Sequence, residues 1–531
     1  MDPATKVLMD CLLVLVVSGS LLLTGIGALR LFTSRFQGLR LVCYGVATGI
    51  LTNGLMGLIV AALGWRLQLI AALLLSVSTI GSLLIWYRRR ILQELRHSLN
   101  WMDRTVVLVW VAFACLCVGI THLSIQFPQV LIDGPYVFKS HRLHVKIQAM
   151  TGPLPADNYI PYVVSEFLLR GISFKKERPL VPGQEVSNRT VLMSLVAIPW
   201  RAILDPPPRQ VGPLGTFEYV GTQWPDVGKF GEDKYFRQFL AVGIVLNATL
   251  LLGAALLFKS HASDKLLWMG LLLLIVNPYV ISQTIFTWPK SLAGFFILLA
   301  IDALLQEDSP ALSAFFVALA YHSHPYALVF AASFGLYLVY QSFWRRVRRK
   351  DVFVYMAIFA LLVAPWIVWT RLVLKIPSDL MEQNFQGAHG FDSVWIRVYN
   401  LYHLLSFRQL DEFPFRADHF VLISLLCFPG MVGMAFVLQA YAGLIKFFSE
   451  YRFLILFAVF VPTIAIVSAF AYPAAVPALH GMQAVTPILV FLALKFMLES
   501  PRQRFLWPLL ITQMAVSVAM LAVRAEALGM F

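Results

Sequence analysis

Long apolar blocks, each closed by a short basic cluster, dominate the chain and leave few ways for it to fold. A helix needs roughly 20 apolar residues to cross the hydrocarbon core, where no water can satisfy its backbone polar groups. Counting such blocks gives about fourteen candidate spans, near 8–30, 41–63, 67–87, 105–125, 237–258, 265–284, 289–306, 310–322, 325–343, 353–373, 419–443, 453–472, 479–498 and 506–524. In the 310–343 stretch, Tyr321-His322-Ser323-His324-Pro325-Tyr326 interrupts the apolar run, which is compatible with two short spans or one kinked span. Only 13% of the 531 residues are charged, against roughly 25% in a soluble domain. A water-soluble fold of this length would lack a polar surface. The pattern predicts an all-α polytopic membrane protein with a long extracytoplasmic loop carrying interfacial helices.

The formal charge of +14 suggests nucleic acid until the basic residues are located. They sit at the ends of apolar blocks, as in Arg88-Arg89-Arg90 and Arg348-Arg349-Lys350. Basic loops of this kind hold the cytoplasmic face of a membrane protein, so no nucleic-acid partner is expected. Putting the 88–104 and 344–351 loops inside also places Arg35, Arg40, Lys446, Arg452, Arg502 and Arg504 inside, with both termini outside. The first apolar run lacks a basic n-region and a small-residue cleavage site, and reads as a retained span. Five cysteines, Cys11, Cys43, Cys115, Cys117 and Cys427, all lie within apolar runs and read as small buried hydrophobes.

This topology divides the chain into a three-helix segment (1–104), a span (105–125), a long outer segment (126–236), spans with short outer turns (237–373), a second outer loop (374–418) and terminal spans (419–531). Within the long outer segment, 158–170 and 190–204 read as helices lying in the interface, and 394–405 reads as a third. The turns at 282–290, 322–326 and 472–481 fall on the same outer face. Residues able to do chemistry therefore gather on one side.

Asp133, in Leu131-Ile132-Asp133-Gly134-Pro135-Tyr136, follows a span exit. A carboxylate held there can take a proton from an incoming hydroxyl, although Asp also starts turns routinely. Lys139, His141, Arg142 and Lys146 follow directly. Such cations can hold a phosphate or simply contact headgroups. His322 and His324 stand at i, i+2 and share no helix face, with no acid nearby, so a metal is not expected and a phosphate or sugar hydroxyl contact is preferred. Lys290 and His480 open spans at outer turns, as phosphate contacts or interfacial anchors.

A span exit followed by an acidic residue, an outer loop with two interfacial helices, and short turns bearing Phe286-Thr287-Trp288-Pro289-Lys290 and Ser323-His324-Pro325-Tyr326 together resemble the GT-C superfamily of membrane glycosyltransferases. Pro365-Trp366 and Pro377-Ser378-Asp379 add to the likeness. The resemblance implies a GT-C-like fold and transfer of a sugar from a polyprenyl-phosphate-linked donor to a glycan or lipid acceptor. Asp133 would be the general base, and Tyr136, Lys139, His141, Arg142, Lys146, Lys290, His322, His324, Tyr326 and His480 would be substrate contacts. It further implies a bacterial inner membrane with the active face periplasmic or extracellular. Three spans precede the acid where many members have one, and no Asp-x-Asp pair follows it, so the metal-dependent branch has no support and no cofactor is expected. The alternative of another class is a polytopic transporter or lipid-linked-sugar flippase.

Overall fold

The computed structural model describes residues 2–124, 160–171, 190–206, 233–261, 264–285, 288–344, 346–375, 394–397, 443–469 and 481–499, with short pieces between 130 and 154 and between 504 and 519. The described residues are almost entirely helical. Its first helix, α1 (Pro3–Phe32), starts at Asp2, whose carboxylate accepts from the Thr5 N–H at 2.9 Å, with proline at the first helical position. There follow α2 (Gly38–Leu63), α3 (Leu67–Arg88), α4 (Ile91–Ser98) and α5 (Trp101–Ser124). After the long polar segment come α8 (Asp233–Ala248) and α9 (Leu250–His261), which form one continuous span, Tyr235–His261, enclosed by protein on all sides.

Among the described residues, six helices are long and apolar enough to cross a membrane: Ala4–Phe32, Gly38–Leu63, Leu67–Arg88, Trp101–His122, Tyr235–His261 and Arg349–Val373. A seventh is counted if α10 (Asp264–Ile275) and α11 (Pro278–Ile285), bent by 65° at their junction, make one span. Fourteen full spans are therefore not found among the described residues. Several apolar blocks instead form helices too short to cross alone: α12 (Lys290–Leu305), α13 (Pro310–Ser323) and α14 (Ala327–Phe343). The 419–443 block lies outside the described residues. At 16 residues, α12 extends about 24 Å, short of the roughly 30 Å hydrocarbon core.

α13 and α14 form a hairpin. Asp308 and Arg346, beyond its two open ends, both lie within electrostatic reach of Tyr337, and the His324–Tyr326 turn closes it. The 310–343 stretch is thus two short helices rather than one kinked span. α15 (Arg349–Val368) runs on through a π-helical turn, Trp369–Val373, just after Pro365. α16 (Leu444–Glu450), a π-helical stretch Phe453–Phe460 leading into α17 (Val461–Ala469), and α18 (Met482–Glu499) complete the described bundle.

The polar segment departs from the expectation in two ways. Its cation-rich part forms short antiparallel pairings: β1 (Val130–Leu131) with β4 (His144–Val145), β2 (Val137–Phe138) with β3 (His141–Arg142), and β5 (Ile147–Ala149) with β6 (Gly152–Leu154). And α6 (Ile160–Arg170) and α7 (Leu192–Leu204), expected to lie in the interface, are buried against other helices. The reason is steric. Glycines on α2 let α7 come into backbone contact, with Leu192 packed on Gly54 and the Leu195 carbonyl oxygen where a Cβ on Gly57 would stand. The Gln68 side chain donates to the Ile203 carbonyl at 3.0 Å, tying the far end of α7 to the start of α3. Helix α7 therefore rises along α2 from inside the bundle.

Ion pairs gather the basic turns at one end. Arg40 grips Asp302 with Nε and a terminal nitrogen at 2.8 and 3.0 Å, while the Tyr44 hydroxyl and Ser260 donate to the same carboxylate at 2.8 and 3.2 Å. Glu307 takes Arg35 and Arg40, Glu94 takes Arg30, and Asp103 takes Lys259. Turns that the basic-loop reading assigned to one side do meet at one end of the bundle.

Gly57→Ala places a methyl against backbone that cannot yield, and overpacking of this kind costs about 1–3 kcal/mol. A lowered thermal midpoint in detergent is expected, with Gly81→Ala, which meets nothing within 4 Å, leaving it unchanged. Equal behaviour of the two variants would rule out the close α2–α7 approach.

Candidate functional site

The site begins with two asparagines inside apolar sequence. Asn277 caps α11 at the bend, its Oδ1 accepting from Tyr279 N–H at 2.8 Å and Val280 N–H at 3.3 Å. Asn247, fully buried in α8, closes the next turn. Its Nδ2 donates to the Thr284 and Trp288 carbonyls at 3.4 and 3.3 Å, and its Oδ1 accepts from Leu292 N–H at 3.3 Å. Backbone groups freed by breaking a helix in an apolar interior must find such partners.

The turn so held presents Trp288 and Lys290. The Lys290 ammonium sits 3.6 Å from the Trp288 ring centroid, a cation–π contact in a site where Lys290 is 1% exposed. The His324 ring meets Trp288 at 5.5 Å and Tyr326 at 5.1 Å. The Tyr326 hydroxyl donates to the Lys290 carbonyl at 2.8 Å, and Tyr326 N–H donates to His324 Nδ1 at 3.2 Å. As an acceptor, Nδ1 carries no proton, so the ring presents Nε2–H as a donor. On the third side Gln483 accepts from Gly481 N–H at 3.0 Å and donates to Gln283 at 2.8 Å, both glutamines buried.

The depth of this cluster was not visible in the sequence. Asn247 lies midway along the 27-residue Tyr235–His261 helix, so the turn it grips is at mid-helix level. At 1.5 Å per residue, Tyr235 stands about 18 Å above it. Helix α7 starts at a similar level, since Met193 packs on Gly243. Gly294 of α12 abuts the Gln483–Ala484 backbone, and Gly481 abuts Tyr326. The N-termini of α7, α12, α14 and α18 therefore converge below the end of the longest helices, each with the positive pole of its dipole there. Thr190, Ser291 and Thr486, beside three of these N-termini, have buried hydroxyls with no hydrogen-bond partner among the described residues. The outcome is an electropositive cluster of buried cationic, donor and aromatic groups, recessed below the ends of the longest helices.

Of the residues expected from sequence, Lys290, His324 and Tyr326 come together here. His322 does not: its Nε2 is 2.9 Å from the Leu362 carbonyl, facing α15. The backbones of His141 and Arg142 pair with Phe138 and Val137. Asp133, Tyr136, Lys139, Lys146 and His480 lie outside the described residues, as does most of the 394–405 stretch, of which 394–397 is helical. Among the described residues no group of three His, Cys, Asp or Glu side chains is placed to hold a metal.

Sequence reasoning missed Asn247, Gln283 and Gln483, though a polar residue within an apolar block is itself a signal. It also missed the fully buried pair Glu166–Arg201, joined at 2.6 and 3.1 Å. Arg170 adds a second cation to that carboxylate, Gln238 and the Asp205 carbonyl accept from Arg201, and the Tyr235 ring lies 4.5 Å from its guanidinium carbon. This network locks α6 and α7 to α8 beside the recess.

No protein-family model matches the chain, and neither a curated protein nor a solved structure does so.

Two outcomes follow. Asn247→Leu takes the side-chain partner from the Leu292 amide and the Thr284 carbonyl, while the Trp288 carbonyl keeps the Lys290 N–H at 2.8 Å. A buried group left unpaired costs about 1–3 kcal/mol, so the thermal midpoint should fall. In a background without the native cysteines, Gln68→Cys at the exposed helix end should react with a bulky sulfonated maleimide far faster than Tyr326→Cys. Equal rates would contradict the recess.

Proposed function

We propose that the chain is a membrane glycosyltransferase that moves a sugar from a polyprenyl-phosphate carrier to an acceptor hydroxyl at the end of the bundle opposite the basic turns. The observation that carries this reading is the convergence of Lys290, the His324 Nε2–H donor and four helix N-termini in one recess. Such a constellation stabilises negative charge as it develops on a departing phosphate, more strongly in a dry site than in water. In the reaction the acceptor oxygen bonds to the anomeric carbon as the carbon–oxygen bond to phosphate breaks, with inversion. Asp133 removes the acceptor proton. Lys290 and His324 receive the charge left on the phosphate oxygen, and Trp288 and Tyr326 form the apolar walls that keep water away. Membership of the GT-C superfamily, a bacterial inner membrane and an active face turned away from the cytoplasm belong to the same proposal.

A second reading is supported by the 65° break between α10 and α11 at Asn277-Pro278, since discontinuous helices line the binding sites of many transporters. A flippase for lipid-linked sugars would use the same recess without forming a glycosidic bond.

The two separate in detergent, where no sealed compartment exists. Purified protein given radiolabelled polyprenyl-phosphate sugars and a hydroxyl acceptor is expected to make a new glycoside. Asp133→Asn should lower the rate by about 10²–10⁴, and Lys290→Gln by about 10²–10³. No product with any donor, combined with lipid-sugar movement in sealed vesicles, would replace the enzyme with the flippase.

A further inference from the structure

The elbow joining α3 to α5 carries charge that the rest of the molecule does not neutralise. Arg88, Arg89 and Arg90 close α3, and Arg90 takes a left-handed conformation (φ 51) that turns the chain into α4. Arg96 and Arg104 follow, the latter donating to the Arg96 carbonyl at 2.8 Å. All five guanidinium side chains belong to exposed residues, and none makes an ion pair among the described residues. The two carboxylates of this stretch are already engaged, Glu94 by Arg30 of α1 and Asp103 by Lys259 of α9.

The other basic turns are compensated to a greater or lesser degree. Arg35 and Arg40 are bound by Glu307 and Asp302, and Arg348 by Asp351. In the 346–350 turn Arg346, Arg349 and Lys350 are also exposed without an ion pair among the described residues, so the elbow, with five such cations, carries the larger share of uncompensated charge. It is framed by apolar groups suited to the boundary between headgroups and acyl chains: Tyr87 is 84% exposed, Leu92 59% and Trp101 68%, the last stacked on Trp268 at 6.2 Å. A soluble anion would match the cations but not this frame.

We propose that the α3–α4–α5 elbow is a docking site for anionic phospholipid headgroups, with Arg88, Arg89 and Arg90 on the phosphate and Tyr87, Leu92 and Trp101 against the acyl chains. Basic residues near a membrane surface each strengthen binding to anionic lipid by about five-fold. The site is independent of the recess and of the reaction proposed for it.

The test is native mass spectrometry of the full chain in micelles containing equal phosphatidylglycerol and phosphatidylcholine. Wild type is expected to retain phosphatidylglycerol selectively. The Arg88→Gln/Arg89→Gln/Arg90→Gln variant should lose roughly 100-fold in that affinity, while Arg348→Gln keeps it and the corresponding triple lysine variant retains most of it. Should the triple glutamine variant fail to fold, Arg96→Gln/Arg104→Gln should lose about 25-fold. Unchanged selectivity in a folded glutamine variant overturns the proposal, as does equal retention of phosphatidylcholine. Displacement of the lipid by millimolar inorganic phosphate would also overturn it, because the site would then read a soluble anion.

Discussion

Every helix broken inside an apolar bundle leaves amides and carbonyls that water cannot reach, and the arrangement of this chain depends on how those groups are satisfied. Asn277 takes the first amides of α11, and Asn247 spans the turn to α12. The Tyr326 hydroxyl takes the Lys290 carbonyl, His324 takes the Tyr326 amide, and Gln483 takes the amide of Gly481. Five side chains from four regions of the sequence thus allow helix ends to meet well below the ends of the longest helices. Without them the recess would be an assembly of unpaired dipoles, each opposed by its desolvation.

The two ends of the bundle are chemically unlike. At the basic end, carboxylates tie neighbouring helices, with Asp302 receiving Arg40, Tyr44 and Ser260 from α2 and α9. Charge-assisted bonds in a poorly solvated place are strong, and removing one partner strands the other. At the opposite end, amides, rings and helix termini surround Lys290, which meets an aromatic face, and the Glu166–Arg201 pair lies beside them. The ionic frame at one end and the amide-and-ring network at the other hold the same helices by different means.

Much of the helical content could be read from the length of the apolar blocks, and the motifs at Trp288–Lys290 and His324–Tyr326 could be found as polar interruptions. What could not be read was depth. Whether a polar turn sits at the surface or halfway down depends on the lengths of helices distant in sequence, here α12 against Tyr235–His261. The same limit applied to α6 and α7, whose apolar content fits an interfacial helix and a buried one equally well. Only Gly54 and Gly57 on a remote helix decide between them. Glu166 and Arg201 are 35 positions apart, and nothing local in either segment announces the pair.

The Tyr235–His261 helix touches protein on every side, and this has a mechanical consequence. A rod gripped all round cannot slide or turn without disturbing α1, α5, α7 and α12 together. It serves as a fixed axle. Any shift of one helix past another falls instead to those with an exposed flank, such as α15, where Phe353 and Leu361 stand 73% and 72% exposed.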